Sequence, residues 1–164
     1  MNGSKRLALL AVLAAFAALL LFAAAGHAQA ANPHHRNNLL GENIAAAGYD
    51  PVSYFPEGGG KPAKGLIKLS FDHDAVTYRF STPENLERFK ANPAKYTPQY
   101  GGWCAWAVGA INKRVDVDPE SHVIRDGKLY LFYRDPQLDT RALWLKESDE
   151  LLRKAAANWP ALAK

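Results

Sequence analysis

A strand pattern runs directly into a helix signal in the stretch Tyr78-Arg79-Phe80-Ser81-Thr82-Pro83-Glu84-Asn85-Leu86-Glu87-Arg88-Phe89. Before the helix signal, residues 66–71 and 75–80 alternate in part between apolar and polar side chains, which predicts a β-hairpin with its tip at 72–74. Ser81 then offers a capping hydroxyl, and a proline and an acid follow in the first turn of the predicted helix. The chain is therefore expected to form an α+β domain with a short helix after its first hairpin.

A second hairpin and a helical tail are predicted in the last third of the chain. Asp126-Gly127 separates two apolar runs, and both residues tolerate the positive φ of a two-residue turn. Asp135-Pro136 is expected to open the tail, and Ser148 to divide it by capping a second helix. The predicted apolar stripe of the tail consists of Leu138, Ala142, Leu145, Leu151, Leu152, Ala155 and Trp159.

The N-terminal thirty residues have the pattern of a cleaved signal peptide. Lys5 and Arg6 precede a long apolar run over 7–25, and Ala28-Gln29-Ala30 is a small-x-small cleavage pattern. The alternative is an uncleaved anchor, since the run is nearly long enough to span a bilayer. This predicts a periplasmic or secreted protein that contacts the membrane only if the segment stays attached.

The rest of the chain is expected to contain one domain. Residues 31–40 are polar and predict a flexible N-terminal arm, and residues 41–164 predict a single domain. Loss of the signal peptide removes two basic residues and lowers the formal net charge from +4 to +2. No basic helix face, phosphate loop or base-stacking platform is visible, so a nucleic-acid partner is not expected.

Residues 78–96 resemble the YHS domain, which combines an aromatic hairpin strand, a short helix with a phenylalanine and a Pro-x-Lys-Tyr ending. Two flanking segments, Gly48-Tyr49-Asp50-Pro51-Val52-Ser53-Tyr54-Phe55 and Tyr100-Gly101-Gly102-Trp103-Cys104-Ala105, are similar to an exported subgroup of that family. The resemblance covers about residues 48–159. It implies a small α+β binding or accessory module, with no ligand specified.

One departure from this family bears on metal binding. Metal-type YHS and related domains carry two cysteines four residues apart around the helix start, and those positions are Ser81 and Asn85 here. Soft metals require thiolate ligands, for which serine and asparagine are poor substitutes. The metal site of such domains is therefore not carried over, and Ser81 is interpreted as a helix cap.

Cys104 is the only cysteine, which is unusual because exported proteins commonly pair their cysteines in disulfides. Some members of the similar subgroup have selenocysteine at this position, which implies redox chemistry or contact with a soft metal. A reactive thiol also needs exposure and a nearby positive or hydrogen-bonding partner. The alternative is a small buried residue between Trp103 and Trp106.

The other candidate site residues form two groups. The first could line a ligand cleft beside Cys104, in which two adjacent glycines permit a close approach of the backbone to a ligand or to another strand. Its members are Tyr49, Asp50, Tyr54, Tyr100, Gly101 and Gly102. The alternative is that Asp50 caps a turn while the tyrosines fill the core.

In the second group, Asp116, Asp118 and His122 could join Cys104 in a weak copper or zinc site, or form an ordinary turn.

These observations favour a non-enzymatic exported module that binds a small ligand or a periplasmic protein. No cofactor is predicted, and no base is identifiable for the thiol. Two alternatives remain open at this point. One is a redox protein that uses Cys104 with an external resolving thiol. The other is a protein that handles copper through Cys104 and His122.

Overall fold

The predicted first hairpin is present in the computed structural model. Strands β3 (Leu66–His73) and β4 (Val76–Phe80) pair antiparallel, with a bulge between Leu66 and Ser70. The predicted tip at 72–74 is wrong by about one residue. The turn consists of Asp74 and Ala75, whose φ angles are 52° and 62°, and His73 belongs to the strand.

The structure describes residues 36–41 and 43–164, so the predicted signal peptide and the first part of the predicted arm lie outside the described residues. The last two residues of that arm form strand β1 (Leu39–Leu40), which pairs antiparallel with β2 (Ile44–Ala45). Strand β2 runs parallel to β4, which gives the order β1-β2-β4-β3. The last two residues of the predicted arm are thus part of the sheet.

The second predicted hairpin is also present. Strands β5 (Asp118–Arg125) and β6 (Lys128–Phe132) form a separate two-stranded sheet. Asp126 and Gly127 have φ angles of 51° and 70°, as the sequence pattern predicted. The hairpin therefore follows from local turn chemistry.

The helix after the first hairpin begins one residue later than predicted. Helix α1 (Pro83–Ala91) is capped by Thr82, whose hydroxyl oxygen accepts a hydrogen bond from the backbone N–H of Asn85 at 3.1 Å. The interpretation of Ser81 as the cap is wrong, because its hydroxyl donates to the Asp50 carboxylate instead. A single further turn, α2 (Pro93–Tyr96), follows.

Three further α-helices follow in the described chain: α3 (Ala105–Ala110), α4 (Thr140–Lys146) and α5 (Ser148–Leu162). Helix α4 is capped by Asp139, so the tail does not open at Asp135-Pro136 as predicted. The side chain of Asp135 instead accepts hydrogen bonds from the backbone N–H groups of Gln137 and Leu138, which form a turn before α4.

The predicted break between the two tail helices lies where expected, but its predicted cause is wrong. Ser148 is the first residue of α5 and makes no capping hydrogen bond. Its hydroxyl oxygen accepts a hydrogen bond from the Arg125 guanidinium. The junction is therefore tied to hairpin β5–β6.

The core is divided between two clusters of buried side chains. The larger one packs the four-stranded sheet against α1 and α2, with Phe80 and Phe89 fully buried. The smaller one packs β6 against the tail helices around Trp144. The predicted apolar stripe of the tail is correct for Leu151 and Ala155 in α5. It is wrong for α4, where Trp144 is buried and Leu145 is 57% exposed.

Within the described residues, no helix has both the length and the apolar character needed to cross a membrane.

Candidate functional site

A cleft of about 390 Å³ lies between the turn before α3, the tip of hairpin β5–β6 and the end of helix α5. Three aromatic residues line it, one from each of these elements: Tyr100, Tyr130 and Trp159. Polar groups come from Gln99, Asp126 and Lys128, and small or apolar surface comes from Leu152, Ala156 and Pro160. This combination of aromatic walls and few polar groups is typical of ligand pockets.

The aromatic side chains of the cleft support one another. The Tyr100 ring lies 6.1 Å from that of Tyr130 and 5.7 Å from that of Trp159, measured between centroids. Tyr130 in turn packs on the buried Trp144 at 5.5 Å. Tilted and edge-on arrangements at these distances are favourable. The inner wall of the cleft is thus anchored to the smaller core cluster.

An unusual turn presents Tyr100 to the cleft. Tyr100, Gly101 and Gly102 have φ angles of 54°, 59° and 83°, three consecutive positive values. Positive φ costs a residue with a side chain roughly 1–2 kcal/mol. Such strain persists only where surrounding contacts hold the backbone in place.

The contacts that hold this turn come from residues 36–38, which we call the N-terminal strap. The backbone N–H of Asn38 donates to the carbonyl oxygen of Gly101 at 2.8 Å, and the Asn38 amide donates to that of Gly102 at 3.4 Å. A Cβ atom on Gly101 would lie 1.9 Å from the carbonyl oxygen of Arg36. The close approach predicted for the paired glycines is therefore to another segment of the same chain.

The two phenols of the cleft remain protonated at neutral pH. Burial, and to a smaller extent the neighbouring Tyr130, raise the pKa of Tyr100 to about 12. Burial also raises the pKa of Tyr130, and the negative charge of Asp126 adds to this shift. Both residues can therefore act as neutral hydrogen-bond donors as well as acceptors.

The charged groups at the rim have opposite signs. The carboxylate of Asp126 is highly exposed on the hairpin turn, and Lys128 is exposed two residues later on β6. Gln99 adds an uncharged amide from the turn before α3. The cleft thus combines hydrogen-bonding groups with no net formal charge among its lining residues.

Cys104 is fully buried at the start of α3. Its Sγ lies 3.3 Å from the Oγ1 of Thr140. The Thr140 hydroxyl also lies 2.7 Å from the carbonyl oxygen of Tyr133, to which it donates, so Cys104, Thr140 and Tyr133 form one short chain of polar contacts. Cys104 is therefore a buried thiol with a hydrogen-bond partner inside the protein.

Asp50 is also fully buried, and its carboxylate is the centre of a hydrogen-bond network. One oxygen accepts from the backbone N–H groups of Val52 and Ser53. The other accepts from the backbone N–H of Ser81 at 2.9 Å, the Ser81 hydroxyl at 2.6 Å and the Asn85 amide at 2.7 Å. Ser81 and Asn85 thus both bind this carboxylate, in a set of groups unsuited to a soft metal.

The tyrosines near Asp50 connect the first half of the domain to strand β5. The Tyr54 hydroxyl donates to the carbonyl oxygen of Pro119 at 2.9 Å, and the Tyr49 hydroxyl donates to Glu120 at 3.2 Å. The ring of His122 packs edge-on against Tyr54 at 5.0 Å. Tyr54 is 2% exposed and is therefore part of the core, which agrees with the alternative interpretation that the tyrosines fill the core.

The described contacts of the Cys104 side chain do not include the first group of predicted site residues. In the described part of the chain, no hydrogen bond or ring contact joins the Cys104 side chain to Tyr49, Asp50 or Tyr54. Asp118 is paired with Arg134 at 2.7 Å. Among residues 36–41 and 43–164, no group of three His, Cys, Asp or Glu side chains could hold a metal ion.

Two of the aromatic residues that line the cleft, Tyr130 and Trp159, were not identified as site residues from the sequence. A weak signal was present, since Lys128 and Tyr130 are two residues apart and therefore lie on the same face of β6.

Comparison with known proteins finds no matching family model, no similar curated protein and no similar solved structure. The functional assignment therefore depends on the geometry of the cleft.

Proposed function

We propose that this protein is an exported, YHS-like module that binds a small ligand in the cleft formed by Tyr100, Tyr130 and Trp159. The observation that carries this proposal is the cleft itself, with three aromatic side chains from three different elements. Export is supported by the signal-like pattern of residues 1–30. The YHS assignment is supported by the sequence motifs between residues 48 and 105.

The size and chemistry of the cleft fit a small organic molecule. Its volume of about 390 Å³ falls within the usual range of roughly 300–1,000 Å³ for ligand sites. Aromatic side chains provide contact area with few rotatable bonds, which limits the entropy lost on binding. The strained backbone of Tyr100 agrees with this interpretation, because such strain concentrates at ligand sites.

The thiol-based alternatives have less support. A thiolate nucleophile or metal ligand needs access and stabilisation of its charge, whereas Cys104 is fully buried and its side chain contacts the Thr140 hydroxyl. His122, the proposed second ligand for copper, packs against Tyr54. A binding role that leaves Cys104 in the core accounts for more of the observed contacts.

Ligand-induced stabilisation tests the proposal. The thermal midpoint of the purified protein is measured with benzamide, benzamidine, benzoate, choline and glucose, five probes of different chemistry. A probe present at ten times its Kd should stabilise the fold by about 1.4 kcal/mol, which corresponds to a few degrees.

The matched variants are Trp159→Ala, inside the cleft, and Tyr133→Ala, outside it. We expect at least one probe to raise the midpoint of the protein and of Tyr133→Ala, but not that of Trp159→Ala. An equal shift in all three proteins, or no shift with any probe, would overturn the proposal.

A further inference from the structure

We infer that the cleft selects an uncharged, planar ring compound that carries hydrogen-bonding groups on its edge. This inference rests on the proposed function and specifies the class of its ligand. Two features of the cleft lead to it: the arrangement of its aromatic rings and the cancellation of charge at its rim.

The aromatic side chains favour a flat ligand. Tyr100 stands between Tyr130 and Trp159 and is tilted by 49° and 66° relative to them, so the three rings are not parallel. A planar ring that enters this corner can stack on one aromatic face while its edge meets another, which is the preferred geometry of aromatic clusters. A saturated ring of the same size would keep the buried area but lose these contacts.

The rim argues against a charged ligand. Asp126 and Lys128 lie two residues apart at the mouth and carry opposite charges. A cation attracted to Asp126 would meet Lys128, and an anion attracted to Lys128 would meet Asp126. Arg125 pairs with Asp126 at 3.6 Å and is itself paired with Asp149, so the charges around the rim still balance. The rim therefore favours neither sign, although cations are otherwise attracted to aromatic faces.

Neutral polar groups are available for the edge of the ligand. Tyr100 keeps its proton because burial raises its pKa, and its phenol can donate or accept. Gln99 offers both an amide donor and an acceptor from the same turn. A ligand with a carboxamide or a similar donor–acceptor pair would satisfy groups that are already neutral, so binding requires no change in protonation.

Four probes of nearly equal size test the inference by NMR titration or calorimetry. Benzamide is neutral and planar, benzamidine is its cationic counterpart, benzoate its anionic counterpart, and cyclohexanecarboxamide its saturated counterpart. We expect benzamide to bind at least threefold more tightly than each of the other three. Its affinity should also be nearly independent of salt concentration, because no net charge is neutralised on binding.

Tighter binding of benzamidine or benzoate, with a strong salt dependence, would overturn the assignment of the ligand class while leaving the cleft as a binding site. Equal binding of cyclohexanecarboxamide would also overturn it, since planarity would then contribute nothing. If none of the four probes, nor choline or glucose, bound at the cleft, both this inference and the proposed function would fail. Trp159→Ala assigns any observed binding to the cleft, and Tyr133→Ala serves as the control.

Discussion

The backbone N–H of Asn38 donates a 2.8 Å hydrogen bond to the carbonyl oxygen of Gly101, sixty-three positions later in the chain. This contact fastens the N-terminal strap across the turn that presents Tyr100 to the cleft. The strap lies close in sequence to the predicted signal-peptidase site at residue 30. Residues 36–38 are therefore part of the support of the candidate site.

Replacing Gly101 by alanine should displace the strap. The new Cβ would lie 1.9 Å from the carbonyl oxygen of Arg36, and the positive φ would also be strained. We expect the free energy of unfolding to fall by about 2–4 kcal/mol, the sum of backbone strain and a steric clash. Urea denaturation measures the change.

The matched control for this variant is Gly127→Ala in hairpin β5–β6. Gly127 also has a positive φ, 70°, but a Cβ atom added there would have no other atom within 4 Å. Gly127→Ala should therefore lower the free energy of unfolding only by the backbone strain, about 1–2 kcal/mol. Equal losses in the two variants would show that the strap does not press on Gly101.

Asp50→Ala should be among the most destabilising single substitutions in the domain. It removes the acceptor of the Val52 backbone N–H, the Ser81 backbone N–H and the Ser81 hydroxyl, whereas the Asn85 amide keeps the carbonyl oxygen of Gly58. Orphaned buried donors cost about 1–3 kcal/mol each, so we expect a loss of about 3–5 kcal/mol. Chemical denaturation provides the measurement, with the exposed Asp149→Ala as a control near zero. A loss below about 1 kcal/mol for Asp50→Ala would contradict the network described above.

Cys104 should behave as a core residue. We expect a thiol reagent to label it only as the protein unfolds, because its Sγ is buried and hydrogen bonded to Thr140. The labelling rate should therefore follow the unfolding curve as denaturant is added. Cys104→Ala should lower stability by about 1 kcal/mol and leave probe binding unchanged. Rapid labelling in native buffer, at a rate unaffected by denaturant, would instead support a functional thiol.

Much of the fold could be predicted from local sequence signals. Asp126-Gly127 specifies a hairpin because both residues accept positive φ, and the structure has that turn. The helix cap was misassigned because Ser81 and Thr82 carry equivalent hydroxyls, and only the tertiary contact of Ser81 with Asp50 decides between them. Local patterns identify an element reliably but not which of two adjacent polar residues caps it.

The cleft could be predicted only in part. Tyr100 was identified through its place beside the paired glycines, whereas Tyr130 and Trp159 belong to a strand and a helix that meet it through packing. The contact of Cys104 with Thr140 likewise joins residues 36 positions apart. Such long-range neighbours depend on tertiary packing, which a periodicity pattern does not encode.

The alkaline stability of the protein should depend on Tyr100. Its pKa of about 12 in the folded state lies above the value of about 10 expected in the unfolded chain. The folded state therefore binds the proton more tightly, and this contribution to stability is complete below about pH 10 and is lost as the pH rises toward about 12. We measure the free energy of unfolding by denaturation at several alkaline pH values. Between about pH 10 and 12 it should fall less steeply with pH for Tyr100→Phe than for the unchanged protein. Identical slopes would contradict a protected phenol at this position.

The most direct test of the central claim is to map the binding of benzamide by amide chemical shifts on the ¹⁵N-labelled protein. We predict that the largest changes fall on the cleft residues, around Tyr100, Tyr130 and Trp159, and that they saturate with one binding constant. The shifts should disappear in Trp159→Ala and persist in Tyr133→Ala. Changes centred elsewhere in the domain, or none at saturating benzamide, would contradict the assignment of this cleft as the binding site for such a ligand.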